Sequence, residues 1–129
     1  MHSRVKDAAV VIVGKVAVSS IVLGSGFRAV SDDDYARIVI AQRFAESPSL
    51  DPSGTSWLPF PFWLNGGAMI VLGSSVEVAR GLALVLGVAA SFAVWLSLRW
   101  LGAGRLGAVV GAVAASIFPY SAWLGVAAV

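Results

Sequence analysis

The sequence contains no cysteine, so it carries neither a disulfide framework nor a thiolate metal site. Its one histidine, His2, adjoins Met1 and reads as disordered chain rather than as a ligand. Charge is scarce as well: only 12% of residues are Asp, Glu, Lys or Arg, against about 25% in soluble domains. So few charges cannot cover a surface that faces water throughout. The net charge of +2 is scattered, no basic patch interleaves with aromatics, and no glycine-rich phosphate loop follows a strand. Nucleic acid is therefore excluded as a partner. What the sequence has in excess is apolar side chain, 58% of residues, in long uncharged runs between short charged clusters. That segregation predicts an all-α, polytopic membrane protein.

The run 8–30 is apolar except for Lys15 and follows Arg4 and Lys6. It is longer than the apolar core of a signal peptide, and Ser25-Gly-Phe-Arg28 makes a poor cleavage site, so an uncleaved signal anchor is expected. Lys15 lies near the start of this span, where its stem can carry the ammonium back to the headgroups by snorkelling. Uncharged stretches at 81–98 and 106–129 predict two further spans, over 76–99 and 106–129. Gly and Ala recur in both, without a Gly-xxx-Gly core that reads as a dimer motif. Trp57 to Gly73 is apolar but carries Pro59 and Pro61, and the stretch after Pro61 is too short for a hydrocarbon core of about 30 Å. A helix on, or dipping into, the membrane surface is predicted there. Residues 33–46 open with acids and predict a second short surface helix, its apolar residues on no single face.

With three spans, Arg4, Lys6, Arg99 and Arg105 share one side of the membrane, opposed there only by Asp7. The other six acids fall on the opposite side. The positive-inside rule then predicts a cytoplasmic N-terminus and an extracytoplasmic loop over 31–75 carrying the short helices. A bacterial inner (plasma) membrane is the expected location. The whole chain, 1–129, reads as a single membrane module.

Candidate chemistry concentrates in that loop. The three carboxylates of Asp32-Asp-Asp-Tyr35 repel one another unless a cation, a proton or helix amides compensate. One is explained as an N-cap and the others gain from the helix dipole. A carboxylate left over, near aromatics at the membrane surface, suits a general base or a metal ligand. Trp57-Leu-Pro-Phe-Pro-Phe-Trp63 is either an aromatic belt or a wall for a polyprenyl tail or sugar ring. Arg37, Arg43 and Arg80 lie on the same side, suited to phosphate, whether of a substrate or of lipid.

The order of these features resembles the start of the GT-C glycosyltransferases, which include protein O-mannosyltransferases, aminoarabinose transferases and the catalytic subunit of oligosaccharyltransferase. Asp32-Asp-Asp-Tyr35 is similar to the family's Asp-Asp-x-Tyr, and Ala36, Ile38, Ala41 and Ala45 continue like its surface helix. Ser56-Trp-Leu-Pro-Phe-Pro61 resembles the Trp-x-Pro segment near the end of the first outer loop, and residues 76–120 look like the next two spans. The resemblance implies Asp32 or Asp33 as catalytic base and Asp34, Tyr35, Arg37, Trp57 and Arg80 as substrate-binding residues. It implies transfer of a sugar from a polyprenyl-phosphate donor to an acceptor on the extracytoplasmic face, with a divalent metal in some relatives. No metal ligand is assigned here, no cofactor is certain, and a divalent metal is left open. Family members carry more spans and a second acidic motif in a later loop. The chain therefore reads as a truncated part, its site completed by a missing C-terminal portion or another membrane chain.

Two rival classes remain. A non-catalytic membrane scaffold or subunit, binding lipid or a partner helix, needs none of the catalytic assignments. A transporter fragment would place an ionisable site near the midplane, whereas the acids here are confined to a loop.

Overall fold

The computed structural model describes every residue except Met1, Arg28, Val30, Ala128 and Val129, and of His2 and Ser3 the backbone alone. The described residues form α-helices and no strand: α1 (His2–Gly24), α2 (Asp32–Glu46), α3 (Phe60–Leu72), α4 (Val76–Trp100), α5 (Arg105–Ile117) and α6 (Pro119–Leu124). The chain divides into two compact units, Met1–Phe27 with Leu84–Val126, and Arg28–Ala83 with Ala127–Val129. The division falls within α4.

Both α1 and α4 are long and apolar enough to cross a membrane. Their 23 and 25 residues extend about 34 and 37 Å. Only 22% and 11% of their most apolar windows are buried, unlike the core helix of a water-soluble domain. The expected run 8–30 is shifted: the helix starts at His2 and stops at Gly24. Gly26 takes φ 90°, a left-handed conformation that ends the ladder. The expected end at Val30 lies outside the described residues. α4 matches its expected span and closes in a Schellman turn at Gly102, φ 85°. There Ala103 N–H donates to Leu98 C=O at 3.0 Å and Gly102 N–H to Arg99 C=O at 3.2 Å. The short connection returns the chain as α5, antiparallel to α4.

The run 106–129 is not one helix. α5 ends at Ile117, Phe118 is extended (φ −53°, ψ 130°), and Pro119 begins α6. A residue preceding proline is pushed out of the helical region, and the proline nitrogen has no hydrogen to donate. The 13 residues of α5 reach only about 20 Å. Val129, the expected end, lies outside the described residues.

In the first unit, α1 buries Asp7, Val11, Lys15 and Ser19, one residue per turn, while α5 buries Ala108, Ala112 and Ser116. Val11, Trp95, Ala108 and Ala112 form its core. Small residues at four-residue spacing bring these helices close. The outward faces are apolar: Val13, Ile21 and Val85 are 65%, 71% and 63% exposed.

In the second unit, α2 and α3 pack together, with Ile38, Ala41, Met69 and Ala79 as core. As expected, the apolar residues of α2 occupy no single face: Ile38 and Ala41 are buried with Asp34, while Tyr35 and Val39 stay exposed. The contact requires glycine at Gly66, where a Cβ would lie 2.8 Å from Ala41 O and overlap the Phe44 ring. Between the helices, Asp51 Oδ1 accepts from Gly54 N–H at 3.1 Å and Ser53 Oγ at 3.3 Å, closing a turn.

Gly66→Ala is expected to force α2 and α3 apart at a cost of about 1–3 kcal/mol. Gly67→Ala, one residue on with nothing within 4 Å of its added Cβ, is expected to gain up to about 1 kcal/mol of helix propensity. Thermal melts of the two variants in the same detergent check the opposite signs.

Candidate functional site

Ser31, in extended conformation, caps α2, so the three acids occupy its first turn and none is the N-cap. Asp34 turns back: it is 4% exposed, and its Oδ2 accepts from Ser31 N–H at 3.4 Å, the returning arm of a capping box. Asp32 and Asp33 remain exposed at the positive end of the helix. The acidic run thus splits into one structural carboxylate and two open ones.

Arg37 lies over the Trp57 ring, 5.4 Å from its centroid, and Trp57 packs on Phe62 at 6.1 Å. The structure therefore brings together Arg37 and Trp57 of the expected substrate-binding set. Tyr35, 48% exposed, is on the first turns of the same helix. Arg80 is half-buried on α4, next in the chain to the core residue Ala79. An apolar depression of about 370 Å³ is lined by Phe44, Pro48, Ser49, Leu50 and Trp63, of which only Trp63 belongs to the expected aromatic wall. Trp63 Nε1–H donates to Ser49 C=O at 3.3 Å along it. Among the described residues no three His, Cys, Asp or Glu side chains converge as a metal site. With Asp34 drawn into the cap, the acidic run does not fit a metal centre.

The first unit holds a polar arrangement of its own, and Lys15 is its centre. Snorkelling is not what Lys15 does: the side chain is 0% exposed, and Nζ–H donates to Ser121 C=O at 2.6 Å. That carbonyl belongs to the last turns of α6, where helical carbonyls lack intrahelical partners and the dipole favours a cation. The break at Pro119 is what places a helix C-terminus beside α1. Glycine makes the room. A Cβ at Gly87 would stand 2.8 Å from Lys15 Cε, and one at Gly125 2.6 Å from the same atom. Close by, Ser19 Oγ is buried with no hydrogen-bond partner among the described residues.

The hydroxyls of Ser91 and Ser116 meet at 2.9 Å, and each also lies near the carbonyl four residues earlier, Gly87 at 3.0 Å and Ala112 at 2.9 Å. Each hydroxyl has a single proton, so one donates to its partner while the other donates to its own helix. At the far end of the unit, Arg105 grips both oxygens of Asp7 at 2.8 Å. Finally, Phe27 stacks on Trp123 at 6.2 Å and 7°, tying the chain after α1 to α6.

Lys15, Ser19, Ser91, Ser116, Gly87 and Gly125 were not among the expected site residues. A signal existed on α1, where Asp7, Lys15 and Ser19 fall at multiples of four on one helical face. The partner carbonyl and the glycines on other helices had none. Comparison with protein-family models, curated proteins and solved structures finds no match to this chain.

Lys15→Ala removes the donor to Ser121 C=O and leaves a void between the two glycines, an expected loss of about 2–4 kcal/mol. Ser19→Ala deletes an unpaired buried hydroxyl and is expected to be neutral or to stabilise by up to about 1 kcal/mol. Unfolding of both variants in mixed detergent micelles measures the difference. Equal losses would refute the assignment of Lys15 as the tether.

Proposed function

We propose that the protein is an integral membrane module of a glycosyltransferase of the GT-C kind. In this reading α1, α4 and the broken pair α5–α6 cross the bilayer, the N-terminus is cytoplasmic, and the segment carrying α2 and α3 is extracytoplasmic. Apolar outward faces on α1 and α4 around buried Lys15, Ser19, Ser91 and Ser116 support the membrane assignment, since lipid solvates the first and excludes the second. The observation that carries the catalytic reading is the division of the acidic run. Asp32 and Asp33 stand open at a helix N-terminus while Asp34 is committed to the cap.

The chemistry follows from that division. Asp32 or Asp33 takes the proton of the acceptor hydroxyl, the oxygen attacks the anomeric carbon, and polyprenyl phosphate leaves from the opposite face of the sugar. Trp57, backed by Phe62, offers a stacking surface for a sugar ring or isoprenoid. Arg37 and Arg80 supply charge for the donor phosphate. A second reading, a non-catalytic scaffold that binds lipid or a partner helix, draws support from the internal engagement of Arg37 with Trp57 and Asp34 with Ser31.

Donor binding and turnover in proteoliposomes, with a polyprenyl-phosphate sugar labelled in the sugar, separate the two. Transfer is expected to fall about 10²–10⁴-fold in Asp32→Asn or Asp33→Asn. Asp34→Asn is expected to lower the thermal midpoint while leaving the rate per folded molecule intact. Neither donor binding nor turnover by the unaltered protein would overturn the transferase and leave the scaffold.

A further inference from the structure

One end of the first unit carries more positive charge than its own acid can balance. Arg4 and Lys6 lie in the opening turns of α1, Arg99 in the last turn of α4, and Arg105 begins α5. The sequence of this unit contains a single acid, Asp7. Arg105 holds it through Nε, 2.8 Å from both carboxylate oxygens, and through Nη2, 2.8 Å from Oδ1. That pairing is bidentate, and although the Asp7 charge also reaches Arg99, one carboxylate is left to balance several cations.

Arg4 and Arg99 instead line a cavity of about 190 Å³ together with Trp95, Leu96 and Trp100. Arg99 is held in place there, because its Nη1–H donates to Ala103 C=O at 2.7 Å across the Schellman turn. A guanidinium has five N–H donors, so most of Arg99's remain for a ligand. Trp95 Nε1 is buried and has no acceptor among the described residues. Trp100, 88% exposed, and Leu96, 36% exposed, add apolar surface at the rim.

We propose that this cavity binds the phosphate of an anionic phospholipid headgroup. Two guanidinium groups match a phosphate in charge and in donor geometry, and the helix N-terminus of α1 adds partial positive charge at the same end. Trp100 and Leu96 distinguish the lipid from free phosphate, since an indole and an alkyl chain at a helix end suit the glycerol and upper acyl region. The site belongs to the first unit and takes no part in sugar transfer. It needs only that the protein resides in a membrane, so a failed transferase assay leaves it standing.

Equilibrium binding of dihexanoyl-phosphatidylglycerol to the purified protein in non-ionic detergent tests it, with dihexanoyl-phosphatidylcholine and inorganic phosphate as comparators. Arg4→Gln and Arg99→Gln are each expected to weaken phosphatidylglycerol binding about tenfold or more. Lys6→Gln, an equal change of charge on an exposed residue of α1 that does not line the cavity, is expected to leave it unchanged. Arg4 is exposed, so its variant reports on binding even if loss of the Arg99–Ala103 bond disturbs folding. Unaltered binding in Arg4→Gln, or an equal loss in Lys6→Gln, would overturn the site. Equal affinity for phosphatidylcholine, or displacement by inorganic phosphate at matching concentration, would overturn the anionic-lipid assignment.

Discussion

A lysine buried among apolar helices needs an acceptor for its charge and a channel for its stem, and much of the first unit follows from meeting both needs at Lys15. The acceptor is Ser121 C=O at 2.6 Å, and no carboxylate is spent on it. The channel is the gap between Gly87 on α4 and Gly125 after α6, where any larger residue meets the lysine stem. A helix carbonyl free to accept exists because Pro119 ends one helix and starts another. The same contact therefore accounts for a break in an apolar run, two glycines on separate elements, and the approach of α6 to α1.

Around that contact the unit inverts the ordinary arrangement of a water-soluble domain. Hydroxyls and a lysine point inward, while Val13, Ile21 and Val85 face outward. In the membrane setting proposed above, association of such helices cannot rely on expelling water from apolar faces, because those faces would already have an apolar solvent. Close packing and internal hydrogen bonds take over. The alanines of α5 provide the first, and the Ser91–Ser116 pair provides the second. At the charged end, Asp7 neutralises Arg105 and leaves Arg4 and Arg99 to face an open cavity.

The second unit obeys a different rule, in which local chemistry sets each element before packing refines it. Ser31 and Asp34 start α2, Pro59 and Pro61 frame the start of α3, and Asp51 closes the turn between them. Packing then makes one severe demand, glycine at Gly66, because the α3 backbone touches the Ala41 carbonyl. Capping also sorts the acids by position, not by type. Three identical residues in a row acquire two environments because only the third reaches back to the cap.

Residue order alone determined the helical class, the two long apolar helices, the short helices before and after Pro48, and the opening of α2 at its acids. These are properties of neighbours in the chain, governed by hydropathy, capping and proline geometry, so they are legible without a fold. It also placed Arg4, Arg99 and Arg105 at a common end, because two antiparallel turns of chain return there. Tertiary structure decided what each polar residue does. Lys15 reads as a snorkelling lysine until α6 presents a carbonyl to it, and only the fold brings Arg37 over the Trp57 ring, 5.4 Å from its centroid. The run 106–129 reads as one span until Pro119 divides it and the division is stabilised by a contact with α1. In each case the partner lies many residues away in the chain. Such a pairing depends on how helices meet, and hydropathy and local propensity carry no record of that.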